Sequence, residues 1–344
     1  MCEYSCEDDG LATDWHMVHL GSKAVGGTGL VMAEATAVTP AGRLTPSCPG
    51  IWSDAHVDAW LPVTKFIADQ GSVSAIQIAH GGRKASHTEP WNTPKRHLEA
   101  DEKGWQIVGP SAIQFDGSFG TPKELSKQEI ADITQQFVDG ALYSLEAGFK
   151  IVELHFAHGY LASSFMSPLS NNRDDEYGGS LENRCRFALE TITAIRKAIP
   201  ESTPLFVRIS SSEFVEGGWD IDDSVQLSKW MKDAGVDLVD SSAGGNSADQ
   251  VLELSPGYQV PFADAIRNQA GIMTGAVGLI TEAKQAEAIL QAGQADAVFL
   301  GRELMRNPYW ALYAQAQLDG KSENWPKQYK PSSMDFSYTG PTND

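Results

Sequence analysis

A (β/α)8 barrel, the TIM-barrel member of the α/β class, is the fold this sequence predicts, on three observations. Short apolar strand-like runs alternate with segments of helical period along nearly the whole chain, the pattern of a parallel sheet built from strand–helix units. Polar residues collect where those runs end, the face on which such barrels place chemistry. The last two runs end in glycine, in Thr274-Gly-Ala-Val-Gly278 and Leu300-Gly-Arg302, where barrels commonly hold phosphate.

In chain order, residues 14–25 predict a helix with Asp14 at its N-cap, and Gly29–Thr36 a buried strand. A helix follows from Ser53-Asp54 to about Asp69, then a strand over Val73–Ala79. An irregular insert from Gly81 to about Lys123 carries Trp91 and Trp105, and loops of that length inside a domain are usually functional. Ser126 and Glu129 form a capping box that opens a helix ending near Gly148. Strands are expected over 150–154, 204–210, 237–241, 271–275 and 296–300. Helices are expected over 181–198, 222–234, 262–269 and 281–292, and a last one from Glu303 past Pro308 to about Leu318. That makes seven strands where a closed barrel needs eight, and the first helix starts so early that the missing strand should precede it. Residues 1–318 are read as the barrel domain and 319–344 as a poorly ordered tail.

A formal net charge of −19 argues against nucleic acid or an anionic membrane as partner. Any bound phosphate must then be held by a local arrangement of arginine and backbone N–H groups. Four irregularly spaced cysteines, a polar acidic start and the lack of a long apolar run point to a reducing, cytoplasmic setting.

The stretch Lys150-Ile-Val-Glu-Leu-His-Phe-Ala-His-Gly-Tyr160 is the chemical centre. It ends a strand with two imidazoles and a phenol, groups able to hold and protonate a substrate oxygen. A His-x-x-His pair is also a zinc pattern, but three protein ligands are needed and no cysteine lies nearby in sequence. Buried histidines also serve structure alone. The other strand tips favour the substrate-oxygen reading: Ala35-Thr36, Gln77, His80, Arg208, Ser241-Ser242, Gly275 to Gly278 and Gly301-Arg302 all sit at such ends.

These motifs resemble the Old Yellow Enzyme family of flavoproteins, and within it the bacterial YqjM-like branch of FMN-dependent NADPH dehydrogenases, or ene-reductases. The resemblance rests on Met1-Cys-Glu-Tyr-Ser5, Glu34-Ala-Thr-Ala-Val38, Ile76-Gln-Ile-Ala-His-Gly-Gly-Arg-Lys84 and His155-x-x-His-Gly-Tyr-Leu161. It continues through Ser167-Pro-Leu-Ser-Asn171, Phe206-Val-Arg-Ile-Ser210, Pro256-Gly-Tyr-Gln-Val260 and the two glycine motifs, so it spans about residues 1–318.

The resemblance implies FMN as cofactor and NADPH as the co-substrate that reduces it. Gln77 and the backbone at Ala35 would bond the polar edge of the flavin ring, and Arg208 would sit at its N1–C2 carbonyl. Gly278, Gly301 and Arg302 would cradle the phosphate with Ser242 close by, and Met1 and Cys2 would touch the cofactor. His155 and His158 would donate to the carbonyl oxygen of an enone or another electrophilic alkene, Tyr4 would contact that substrate, and Tyr160 would protonate its α-carbon. His80 and the pair Arg83-Lys84 serve either loop structure or the NADPH phosphate. An iron–sulfur relative is set aside because the cysteines are scattered.

Two departures shape the expectations. The family carries a capping hairpin and first strand before the Met1-Cys2 turn, so an N-terminal truncation with exposed barrel edges is expected, and with it the alternative of a flavin-poor, weakly active barrel. The branch ends in Tyr-Glu-Arg where this chain has Tyr329-Lys-Pro331. Lys330 lacks the planar fork of arginine, so a homo-oligomer is expected without a shared active site.

Overall fold

The computed structural model describes residues 1–321 and 324–330. Residues 322–323 and 331–344, including Pro331 and most of the segment read as a tail, lie outside the described residues. Seven parallel strands form one curled sheet in sequence order. They are β1 (Leu30–Ala37), β2 (Val73–Ala79), β3 (Ile151–Phe156), β4 (Leu205–Ser210), β5 (Leu238–Ser242), β6 (Met273–Ala276) and β7 (Ala297–Val298). The architecture is that of the α/β barrels, and among the described residues no strand joins β1 to β7.

The expected strands and most helices are present within a residue or two. The last helix is not continuous: it divides into Arg302–Arg306 and Trp310–Asp319. Proline has no N–H to continue a helical ladder and pushes its predecessor into extended geometry, and Asn307 stands at φ −135°, ψ 92°. The first helix, Asp14–Val25, is capped by Thr13, with Asp14 in its first turn. The long insert holds a short parallel pair, Val108–Gly109 with Lys123–Glu124.

Helical period decides what is buried. In the helix Lys127–Glu146, Ile130, Ile133, Phe137, Ala141 and Ser144 form one buried stripe, as an amphipathic helix on a sheet requires. Its start is the expected capping box: Glu129 N–H donates to Ser126 Oγ at 3.3 Å and Ser126 N–H to Glu129 Oε2 at 2.9 Å. The main core lies between the helices and the outer face of the sheet, where Val152, Leu154, Phe156, Val207, Ile209 and Val239 meet them. Among the described residues no helix is long and apolar enough to cross a membrane.

The inner face follows from the register. Gln77 lies opposite Glu153, His155 opposite Arg208, and Arg208 opposite Asp240. Side chains alternate along a strand, and paired neighbours share a face, so the inner face is layered. At the bottom Ala75, Ile151, Phe206 and Leu238 form an apolar plug. Beyond it on the same face come Gln77, Glu153, Arg208 and Asp240, with His155 opposite Arg208 and Ser210 opposite Ser242 toward the strand tips.

Two stability outcomes follow. Phe137 is fully buried with its ring 5.8 Å from Phe156, so Phe137→Ala should cost about 3–5 kcal/mol, read as a lower urea midpoint. Acid should destabilise the fold early. Burial depresses both His80 and His87 to about 4. Below the unfolded value of about 6.5 the unfolded chain takes up protons that the folded chain refuses, and stability falls as pH falls, by up to about 1.4 kcal/mol per pH unit for each imidazole. The urea midpoint at about pH 5.5 should lie below that at about pH 7.5, and His87→Asn should flatten the difference.

Candidate active site

The tip of β3 turns sharply. His158 stands at φ 61° and Gly159 at φ 73°, and a Cβ on Gly159 would lie 2.4 Å from the carbonyl oxygen of Gly245. Only glycine fits there. The turn brings three rings together: centroids are 5.0 Å apart for His155–His158, 4.8 Å for His155–Tyr160 and 6.3 Å for His158–Tyr160.

Hydrogen bonds fix the tautomer of one imidazole. The Ala157 N–H donates to His155 Nδ1 at 3.2 Å, so the His155 proton sits on Nε2. His158 is pinned by its backbone N–H, which donates to Ser210 Oγ at 2.9 Å, and its Nε2 lies 2.8 Å from Ser242 Oγ. Burial pushes both imidazoles well below their ordinary value. The neighbouring His158 and Arg208 add to the effect at His155, and Arg208 and Lys84 add to it at His158. Burial, with Cys2 and Tyr4 close by, raises the Tyr160 phenol well above 10. At neutral pH all three are uncharged, so the phenol is a donor, His155 donates through Nε2, and His158 has a proton on one nitrogen.

Beside them lies a cavity of about 640 Å³, within the range of small-ligand sites. Met1, Gln77, His158, Arg208, Ser242, Gly278, Gly301 and Arg302 all line it. Ala35 and Tyr160 face a separate small recess with Arg43 and Cys48. Tyr4 packs edge-on against Trp91 at 5.6 Å, and burial holds the Cys2 thiol protonated. The cavity lining thus gathers Met1, Gln77, His158, Arg208, Ser242, Gly278, Gly301 and Arg302 but not Cys2, Tyr4, Ala35, His155 or Tyr160. Of these, His155 and Tyr160 join through the ring contacts among His155, His158 and Tyr160. Arg83 and Lys84 tie loops together: Arg83 donates to Asn246 Oδ1 at 2.8 Å, and Lys84 Nζ to the carbonyls of His158 and Gly245 at 3.0 and 2.7 Å.

Three functional candidates escaped sequence reasoning. Glu153 and Asp240 are buried and line the cavity, and acids of inward parity within apolar strands were the available signal. Glu34 anchors the first loop, accepting the Glu3 N–H at 2.7 Å with His16 Nε2 3.4 Å away.

The donor set suits a flavin mononucleotide. Arg208 lies 3.2 Å from Asp240 Oδ2, yet its Nε makes no aligned hydrogen bond. Among the described residues no ion pair engages Arg302. Two guanidiniums thus face one cavity with donor capacity left for a ring carbonyl and a phosphate. Gly278 stands at φ 114°, a conformation closed to ordinary side chains, and keeps the backbone bare beside it.

Comparison with known proteins agrees with this geometry. Residues 1–321 match the model of the NADH:flavin oxidoreductase / NADH oxidase family. The chain is 50% identical over 331 residues to an NADPH dehydrogenase of Bacillus licheniformis, covering 96% of this chain and 91% of that protein. An NADPH dehydrogenase of Bacillus subtilis is 47% identical over 321 residues, 93% of this chain and 89% of that one. Among solved structures, an Old Yellow Enzyme homologue from Zymomonas mobilis is 26% identical with a TM-score of 0.74, covering 96% of this chain and 91% of that chain. Morphinone reductase is likewise 26% identical with a TM-score of 0.75, covering 93% and 84%. The chain belongs to the NADH:flavin oxidoreductase / NADH oxidase family, and it is an FMN-dependent oxidoreductase.

Proposed function

We propose that this enzyme uses NADPH to reduce the carbon–carbon double bond of α,β-unsaturated carbonyl compounds. The observation that carries the reading is the cluster of three uncharged donors, His155, His158 and Tyr160, whose member His158 lines a cavity also faced by Arg208 and Arg302. The names of the two Bacillus relatives support NADPH as the electron donor.

In this reading Gln77 and the backbone at Ala35 hold the polar edge of the flavin, and Arg208 faces its N1–C2 carbonyl. Ser242, Gly278, Gly301 and Arg302 hold the phosphate, while Met1 and Cys2 lie against the cofactor. FMN supplies the hydride that reaches the β-carbon of the alkene. His155 Nε2–H and His158 donate to the carbonyl oxygen, drawing electron density away from that carbon. Donors placed on developing negative charge are each worth about 2.7–4 kcal/mol. Tyr4 bounds the substrate from the first loop. Tyr160 delivers its phenolic proton to the α-carbon, and its raised pKa keeps that proton in place through the neutral range.

Tyr160→Phe should slow cyclohexenone reduction by about 10²–10⁴-fold while NADPH still bleaches the flavin at its normal rate. Stopped-flow measurement of the two half-reactions checks this, and an equal fall in both would reassign the residue. Arg302→Ala should weaken FMN binding by about one to two decades, the loss of a charge-assisted hydrogen bond, read by quenching of FMN fluorescence. A colourless wild-type preparation that takes up no FMN would refute the reading.

A further inference from the structure

The charged layer on the inner face contains one more negative group than positive. Glu153 on β3 and Asp240 on β5 are both buried, at 1% and 2% exposure, and Arg208 on β4 is the guanidinium between them. The two acids are partnered differently. Asp240 Oδ2 lies 3.2 Å from Nε of the Arg208 guanidinium, although the Asp240 Oδ1 has no hydrogen-bond partner. Glu153 Oε1 accepts from the amide of Gln77 at 2.7 Å, a neutral partner, and its Oε2 has no hydrogen-bond partner. Both Glu153 and Arg208 line the cavity assigned to FMN.

We propose that Glu153 is a redox-linked proton acceptor: it takes one proton from solvent when FMN in this cavity is reduced. The inference rests on the reading that FMN occupies the cavity and is reduced by NADPH. NADPH leaves as NADP⁺ after giving up a hydride, two electrons and one proton, so the reduced cofactor carries one more negative charge. That charge arises over a layer already net negative, in a medium where charges are poorly screened. The Glu153 carboxylate then binds one proton and becomes the neutral acid, which restores the local charge count. Asp240 keeps its ion pair with Arg208, so Glu153, without one, is the group that yields.

The groups facing Glu153 set the pH window. Burial and the Asp240 charge raise it, while Arg208, the Gln77 amide and the Met1 ammonium group oppose them, leaving it at about 8. Below that pH the acid is already protonated with oxidised FMN, and no uptake is expected. Above it, Glu153 is ionised until reduction raises its pKa further. Glu153 is a positioning residue for charge in this scheme and need not touch the substrate.

The test uses FMN-loaded protein, reduced anaerobically by NADPH in weakly buffered solution at about pH 9 with an indicator dye. Wild type should take up about one proton for each FMN reduced, and Glu153→Gln about none. Equal uptake by the two overturns the inference. Should the variant fail to fold, the redox-difference infrared spectrum of wild type decides: reduction must create a protonated-carboxyl C=O band, and its absence overturns the inference. A wild-type protein that binds no FMN, or whose FMN is not bleached by NADPH, refutes the proposed function itself and the inference with it.

Discussion

Strand register is the constraint on which the rest depends. Because Gln77, Glu153, Arg208 and Asp240 share one parity across four paired strands, they meet on the inner face beyond an apolar plug. A one-residue slip in any strand would send its charge into the helix-facing core, where it would have no partner. Arg208 could not hold its position alone. Asp240 at 3.2 Å and Ser242 Oγ at 3.5 Å from Nη2 tether it, and the cavity keeps it partly wet. The ion pair orients a guanidinium more than it stabilises the fold, since buried pairs barely recover their desolvation cost.

The strand tips obey the opposite electrostatic rule. There the working groups are useful because they are neutral. Burial and the positive charge of Arg208 keep His155 and His158 unprotonated, with Lys84 adding to the effect at His158, which leaves each imidazole with one proton to donate. Lys84 also acts mechanically, since its ammonium group holds the carbonyls of His158 and Gly245 together. One side chain thus sets both the shape of the turn and the protonation of the ring it carries. Glu34 has a comparable place under the first loop, where it binds the Glu3 N–H and fixes the approach of Cys2 and Tyr4.

Much of this was legible in the sequence. Apolar runs with turn residues gave the strands, the Ser126–Glu129 box gave a helix start to the residue, and the histidine–tyrosine stretch pointed to the site. The misses have physical causes. Pro308 stops the final helix because it cannot donate and constrains Asn307, and helical period alone does not register that. Glu153 and Asp240 look like ordinary acids until pairing shows which strand neighbours share their face. Glu34 acquires its role only when the first loop folds back on β1, a contact spanning 31 residues that no local pattern encodes.

The chain's charge raises the last question, how a net −19 protein holds an anionic mononucleotide. Distance resolves it. At physiological ionic strength surface charges are screened over about 8 Å, so the acidic exterior is weakly felt inside a walled cavity. The groups that matter are those within a few ångströms, and there the balance is local: Arg302 has no ion-pair partner among the described residues, while Arg208 is shared with Asp240. On the proposed reading the phosphate would go to Arg302 and the glycines, where positive charge is uncompensated. The ring would then lie near Arg208, whose charge is already shared with Asp240. The same −19 discourages long-range capture of other polyanions, so on the proposed reading a small phosphate would be favoured by an acidic surface and a local guanidinium acting at different ranges.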